Sequence, residues 1–147
     1  MTEVSPAYAR QLAASLINAF KQEAGKASEV MLLHYTQKQI AEGADLSYTS
    51  SNNRVLLKQA ISSNLLAPTM YLIEAIANDE MYLSIDDKLE IFEEALNLPM
   101  PFSKEEARGI RDLISDGWKK VRADAIAAEA AERDARPGGQ PPPRNRM

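Results

Sequence analysis

The sequence predicts an all-α protein, and three observations support this prediction. Apolar residues recur at three- and four-residue spacing through most of the 147-residue chain, which is the period of an amphipathic helix. The alternating β-branched and aromatic runs that predict strands are absent from the sequence. Proline, glycine and serine stand where helices would begin and end. We therefore expect a compact multi-helix bundle, a long C-terminal helix and a Pro-rich disordered tail.

The first three helices are predicted from caps and apolar spacing. The first begins near Ser5, a good cap, with Pro6 at its first helical position, and Gly25 ends it. Its predicted buried face consists of Ala9, Leu12, Leu16, Ile17 and Phe20. A second helix is expected from about residue 27 to residue 35. Thr36 is then expected to cap a separate short helix with the sequence QKQIAE.

Three further helices are predicted in the middle and last thirds of the chain. Pro68 is expected to begin the helix TMYLIEAIAND, whose inward residues would be Met70, Ile73 and Ile76 or Ala77. A capping box, Ser84 to Asp87, begins SIDDKLEIFEEAL. The residues that this helix is expected to bury are Ile85, Leu89, Phe92 and Leu96. A second capping box, Ser103 to Glu106, begins the last helix.

The predicted domain organisation follows from these elements. Residues 1–98 form a helical bundle domain, residues 99–103 a proline hinge and residues 104–135 the C-terminal helix. Residues 136–147, with the sequence RPGGQPPPRNRM, form an extended basic Pro-rich tail. The C-terminal helix carries a heptad-like stripe that is expected to pair with another copy or a partner. The stripe comprises Ala107, Ile110, Ile114, Val121, Ala125 and Ala128.

Composition limits the classes of function. The chain lacks cysteine, so disulfides, thiolate catalysis and cysteine-based zinc sites are excluded. We see neither a secretion signal nor an apolar run long enough to span a bilayer, and we expect a cytoplasmic location or one within a cytoplasmically assembled particle. The net charge is −4, divided as +1 over residues 1–66, −8 over 67–106 and +3 over 107–147. This division predicts different partners for different faces.

One stretch resembles a known family. Ile40 and Ala41, followed by Leu46 and Ser47, match the first helix and turn of the helix-turn-helix in bacterial and phage DNA-binding regulators, and the resemblance covers residues 36–66. It implies that a helix near residues 52–63 enters the major groove of double-stranded DNA. The implied DNA-binding residues are Lys38, Thr49, Ser50, Ser51, Asn52, Asn53, Arg54 and Lys58. In that family the left-handed turn residue is glycine, and Asp45 takes its place here. The alternative is two ordinary bundle helices joined by a polar turn.

We predict a non-catalytic binding protein, with no cofactor, metal or small-molecule substrate, because no catalytic or ligand pattern occurs in the sequence. The leading hypothesis is a small bacterial or phage-type regulator that contacts DNA through residues 36–66 and a partner, or itself, through residues 104–133. The alternative is a structural or adaptor subunit, such as a virion protein, that acts only by protein–protein contacts through the acidic helix SIDDKLEIFEEAL and the C-terminal tail. The expected protein-interaction residues are Met81, Tyr82, Ile110, Ile114, Trp118, Val121, Arg144 and Arg146.

Overall fold

The structure, a computed structural model, describes residues 4–23, 25–26, 28–49 and 55–134. Within these ranges the chain forms α-helices and no strand, which confirms the all-α prediction. The helices are α1 (Pro6–Glu23), α2 (Glu29–Ala41), α3 (Leu56–Ser62), α4 (Leu66–Asn78), α5 (Ile85–Leu96) and α6 (Lys104–Asp134). The predicted long C-terminal helix is α6. The predicted tail, residues 136–147, lies outside the described residues.

Several helix ends lie where the caps predicted them. The Ser5 hydroxyl accepts a hydrogen bond from the backbone N–H of Tyr8 at 3.1 Å, as an N-cap of α1 does. The Ser84 hydroxyl accepts from the Asp87 N–H at 3.1 Å at the start of α5. A reciprocal pair joins Ser103 and Glu106, because each side chain accepts the backbone N–H of the other residue. The predicted face of α1 is buried as a whole. Local capping chemistry therefore determines where these helices begin.

The predicted break at Thr36 is wrong. Helix α2 runs without interruption through this residue, and the Thr36 side chain is fully buried. Its hydroxyl donates to the carbonyl oxygen of Leu32, four residues earlier, at 2.7 Å. A threonine whose hydroxyl bonds the preceding turn is satisfied within a helix and does not need to cap the next one. The segments predicted as two helices are therefore a single helix.

The inward face predicted for α5 is also wrong, although Phe92 is fully buried. Leu89 and Leu96 are only half-buried, and Ile85 is exposed. The residues that α5 buries are Lys88, Ile91, Phe92 and Ala95. The Lys88 ammonium donates to the carbonyl oxygen of Ala77 at 3.3 Å, near the C-terminal end of α4, where the helix dipole favours a cation. This bond lets the aliphatic part of Lys88 contribute to the core, which shifts the buried face of α5 by one residue position.

Helix α4 also departs from one expectation. Ile73, Ile76 and Ala77 are buried as predicted, but the side chain of Met70 is 45 % exposed. The helix begins at Leu66, so that Pro68 lies in the first turn. Proline is tolerated there because its missing N–H would have no partner within the helix. Met70 does not join the core and lies at a groove between α4 and α6.

Helix α6 is part of the common core and packs against α4 and α5. Ile110, Ile114 and Val121 are at most 1 % exposed, so the stripe predicted to meet a partner packs inside the chain's own core. That prediction is corrected for these three residues, because α4 and α5 provide the apolar surface that the stripe needs. Beyond Val121 the helix is exposed apart from the half-buried Ala125, and Ile126 is 61 % exposed. No helix of the described ranges is both long enough and apolar enough to cross a membrane.

Candidate protein-binding surfaces

The segment that resembles a helix-turn-helix contains the end of α2, a connection of which residues 42–49 and 55 are described, and α3. Residues 42–55 separate α2 from α3, so the two helices are not joined by a short turn. The left-handed residue that ends α2 is Gly43, with φ of 109°, and not Asp45. Its N–H donates to the Ile40 carbonyl, and the next N–H, of Ala44, donates to the Gln39 carbonyl, both at 3.0 Å. These bonds form a Schellman motif. The chain therefore leaves α2 in a direction set by this motif.

Helix α3 is a core element. Its buried residues are Leu56, Leu57, Gln59, Ala60 and Ile61, which is most of its seven positions. The Lys58 ammonium lies 2.5 Å from a carboxylate oxygen of Glu94 on α5, and its side chain is 21 % exposed. A helix that reads DNA must present a free face to the major groove. Most side chains of α3 face the protein interior, and its one lysine, Lys58, is paired with the Glu94 carboxylate.

Of the remaining DNA-binding candidates, two lie within the described residues and five lie outside them. Lys38 is exposed and lies 3.9 Å from Glu42, a carboxylate that would repel phosphate. The Thr49 hydroxyl donates to the Ser47 carbonyl at 3.4 Å. The other candidates lie outside the described residues, and they are Ser50, Ser51, Asn52, Asn53 and Arg54. Of the eight candidates the structure therefore describes Lys38, Thr49 and Lys58, and both of these lysines lie near a carboxylate.

A groove with three carboxylates lies beside α3, and we call it the acidic groove. Its volume is about 440 Å³. The residues that line it are Ser47, Thr49, Val55, Lys58, Leu83, Asp87, Glu90, Ile91 and Glu94. Asp87, Glu90 and Glu94 lie three and four positions apart on α5, so they project from the same side of the helix. Leu83 and Ile91 are buried and supply an apolar floor. The groove therefore combines negative charge with a surface for aliphatic groups.

Among the described residues, the acidic groove has more carboxylates than cations. Lys58 is the single basic residue among the described residues that line it, and Lys58 is already paired with Glu94. The side chains of Asp87 and Glu90 are exposed. Nowhere in the described ranges do three His, Asp or Glu side chains form a group that could hold a metal ion. Exposed carboxylates above an apolar floor are chemically complementary to a cationic group with an aliphatic stem.

Two loops beside the acidic groove are tied together by Tyr82. Its hydroxyl donates to the Gly43 carbonyl at 2.7 Å, which links the loop after α4 to the loop after α2. One oxygen of Asp79 accepts the backbone N–H groups of Met81, Tyr82 and Leu83 at 2.8–3.2 Å and so fixes the first loop. Burial raises the pKa of the Tyr82 phenol, and the charges of Asp45 and Asp79 raise it further. Tyr82 is therefore a structural link and not the exposed contact that the sequence predicted.

The Tyr82 hydrogen bond leads to a testable pH dependence. Tyr82→Phe should lower the free energy of unfolding by about 0.5–1.5 kcal/mol at neutral pH, because the Gly43 carbonyl loses its donor. The pKa of Tyr82 in the folded protein lies above its ordinary value of 10.0, which means that the folded state favours the neutral form of the phenol. This contribution is present below pH 10.0 and is lost as the pH rises through the higher folded-state pKa. Urea denaturation from pH 8 upward should therefore show the two proteins converging in stability at high pH.

The control for this experiment is Tyr8→Phe, which removes a hydroxyl from a side chain that is 44 % exposed. The Tyr8 hydroxyl donates to a Glu42 carboxylate oxygen at 3.5 Å on the surface, so this change should lower the free energy of unfolding at neutral pH by less than Tyr82→Phe does. A constant difference between wild type and Tyr82→Phe at every pH would contradict the assignment of Tyr82 as the titrating link.

A second groove runs between α4 and α6, and we call it the α4–α6 groove. Its volume is about 450 Å³. The residues that line it are Met70, Tyr71, Ile73, Glu74, Ala77, Asn78, Leu113, Asp116, Gly117 and Lys120. Met70 and Leu113 are 45 % and 36 % exposed, so the groove presents apolar side chains to solvent. Gly117 lets α6 approach the Phe92 ring of α5 closely, because a Cβ at this position would lie only 3.2 Å from the ring.

The other predicted interaction residues have mixed positions. Met81 is 64 % exposed and is available to a partner. The Trp118 indole N–H donates to a Glu93 carboxylate oxygen at 3.1 Å, and the Arg122 guanidinium lies 5.4 Å from the centroid of the ring system. This half-buried tryptophan therefore joins α5 to α6 and holds a cation on its face. Arg144 and Arg146 lie outside the described residues.

No protein-family model, curated protein or solved structure matches the chain. The sequence pointed to Met81, Trp118 and the acidic helix as a whole, but not to a groove at Asp87, Glu90 and Glu94, because these three have the spacing of any solvated helix face. The excess of negative charge over residues 67–106 was the one signal that pointed to this region.

Proposed function

We propose that the protein is a non-catalytic helical adaptor or assembly subunit whose acidic groove binds a basic segment of a partner protein. The observation that carries this proposal is the presence of three carboxylates, Asp87, Glu90 and Glu94, in one groove whose described lysine is already paired. A groove of this kind has surplus negative charge at a fixed position, which a partner's arginine or lysine neutralises.

The proposed recognition uses both the carboxylates and the apolar floor of the acidic groove. The aliphatic stem of a bound arginine or lysine packs on Leu83 and Ile91, and its charged end meets Glu90 or Asp87. Arginine is favoured because its planar guanidinium makes two parallel hydrogen bonds to a carboxylate. The net charge of −8 over residues 67–106 also attracts a basic partner from a distance and speeds association at low salt.

The same charges argue against DNA as the ligand of this region. A duplex that approached α3 would meet the carboxylates of Asp87 and Glu90, and affinity for nucleic acid rests on neutralisation of its phosphates. Of the described candidates, Lys58 is held by Glu94, and Lys38 lies near Glu42. DNA binding through residues 50–54 stays a prediction, and the experiment that tests the adaptor proposal also tests it.

The experiment measures fluorescence anisotropy of a labelled oligoarginine peptide titrated with the full chain at low salt. Glu90→Lys should weaken binding by about tenfold, because it reverses one of the charges that face the bound peptide. Glu105→Lys makes the same change in net charge at an exposed position near the start of α6, outside the groove, and is the matched control. We expect the control to bind within about twofold of wild type, since Glu105 is not among the residues that line the acidic groove and makes no direct contact with a peptide bound there.

Each outcome of the titration has a definite meaning. Selective loss with Glu90→Lys supports a localised site. Equal loss in both variants would show that only net charge matters and would sink the proposal. A labelled DNA duplex is titrated in parallel, and tighter binding of the duplex than of the peptide would favour the regulator hypothesis instead.

A further inference from the structure

The α4–α6 groove has a chemical character different from that of the acidic groove. Met70 and Leu113 give it an exposed apolar wall, and the half-buried Tyr71 adds an aromatic ring. Two carboxylates, Glu74 and Asp116, stand at the same groove, and neither has an ion-pair partner within the described ranges. Its one lysine, Lys120, lies 3.3 Å from Asp124 on the same helix and is partly neutralised by it.

A segment of the chain itself has the complementary composition. Residues 137–147 read PGGQPPPRNRM, with three consecutive prolines followed by Arg144 and Arg146. Proline fixes its own φ near −65°, so a run of prolines loses little conformational entropy when it binds in extended form. Proline-rich segments bind grooves lined by apolar and aromatic side chains, and a neighbouring carboxylate can fix the position of an arginine.

We propose that the α4–α6 groove binds the Pro/Arg segment, residues 137–147, of a second copy of this chain. The three prolines, residues 141–143, pack on Met70 and Leu113, and Arg144 meets Glu74 or Asp116. The contact joins different surfaces of the two copies. It is therefore heterologous and builds a ring or an open chain of subunits, unless two copies exchange their segments.

The length of the chain favours a second copy over the chain's own segment. Leu113 and Asp134 are 21 residues apart in α6, which is about 32 Å along the helix at 1.5 Å per residue. The nine residues from 135 to 143 span at most about 32 Å when fully extended, so even the last proline reaches Leu113 of its own chain only with no slack. The chain must also reverse its direction after α6, which shortens this reach. The segment of a neighbouring copy is free of this limit.

The region that contains α4 and the region that contains the Pro/Arg segment also carry opposite net charges. Residues 67–106, which include α4, carry a net charge of −8, and residues 107–147 carry +3. Association that combines an apolar contact with an ion pair weakens only in part when salt is added, because the burial of apolar surface is not screened. This inference does not depend on the acidic groove, so the two proposals succeed or fail separately.

The test is sedimentation velocity of the full chain over a range of concentrations. We expect reversible self-association in the wild type. Leu113→Gln and Arg144→Asp should each raise the dissociation constant at least about tenfold, because each removes one side of the contact. Asp116→Lys is a second groove variant at an exposed position, so the test does not rest on the folding of a single substitution.

Two control variants separate this contact from other surfaces. Ile126→Gln removes a side chain that is 61 % exposed on the same helix but lies outside the groove, and it should associate like wild type. Glu90→Lys alters the acidic groove and should also associate like wild type. Loss of association with Glu90→Lys, and not with Leu113→Gln, would place the segment in the acidic groove and overturn the proposal.

A mixing experiment tests the direction of the contact. Leu113→Gln keeps an intact segment, and Arg144→Asp keeps an intact groove, so each variant alone should be a monomer where wild type associates. Their equimolar mixture contains one working groove and one working segment per pair, and it should form dimers and nothing larger. A monomeric wild type at every accessible concentration, or a mixture that stays monomeric, would overturn the proposal.

Discussion

Ile114→Ala is expected to lower the free energy of unfolding by about 2–5 kcal/mol. The Ile114 side chain is fully buried where α6 packs against α4 and α5. Truncation to alanine removes three carbons from this contact and leaves a cavity that the surrounding helices fill only in part. The size of the loss reports how strongly α6 belongs to the same folding unit as the helices before the proline-rich segment at 99–103.

The matched control is Ile126→Ala, the same substitution on the same helix at a side chain that is 61 % exposed. Its effect on the free energy of unfolding should lie within about 0.5 kcal/mol of zero. Both variants are compared with wild type by urea denaturation. Similar small effects in the two would contradict the packed position of α6 and restore the picture of a separate helix joined by a hinge.

Gly43→Ala is expected to lower the free energy of unfolding by about 1–3 kcal/mol. Gly43 has φ of 109°, a conformation that residues with a Cβ rarely adopt. A Cβ at this position would also lie 2.8 Å from a methyl carbon of Val4, which must move to accept it. The change disturbs the Schellman motif that ends α2 and the carbonyl that receives the Tyr82 hydroxyl. Thermal and urea unfolding both measure the loss.

Two other glycines serve as controls for Gly43→Ala. Gly25 has φ of 82° but open space around its Cβ position, so Gly25→Ala reports backbone strain without a steric contact. Gly109 lies on an exposed position of α6 with nothing near its Cβ position. Gly109→Ala should therefore stabilise the protein by up to about 1 kcal/mol through helix propensity. A stabilising effect at Gly43 would contradict the left-handed conformation there.

The fold was predictable from the sequence wherever local chemistry decides the structure. Ser5, Ser84 and Ser103 begin helices because a hydroxyl in these positions satisfies N–H groups that have no partner within the helix. Thr36 was misjudged because a threonine hydroxyl bonds either the following N–H groups or the preceding carbonyl, and the sequence does not show which. The buried face of α5 was misjudged because the burial of Lys88 depends on the end of another helix, α4.

The candidate surfaces were less predictable, since they arise where distant segments meet. The acidic groove requires α3 to lie beside α5, and this contact brings Lys58 to Glu94. Spacing within α5 shows only that its carboxylates share a side, which is also true of a solvated helix. The stripe of Ile110, Ile114 and Val121 was recognised correctly as an apolar face, but its partner is in the same chain. Amphipathic spacing reveals that a face is covered and not what covers it.

The two parts of helix α6 differ in the free energy that is needed to open their backbone hydrogen bonds. Up to Val121 its backbone hydrogen bonds break only when the core opens, so their opening free energy approaches that of global unfolding. From Arg122 onward the helix makes little contact with the body, and its persistence rests on the high helix propensity of its many alanines. The outer turns can therefore fray and re-form without disturbing the core. The cooperative unit of this protein ends in the middle of a helix and not at a loop.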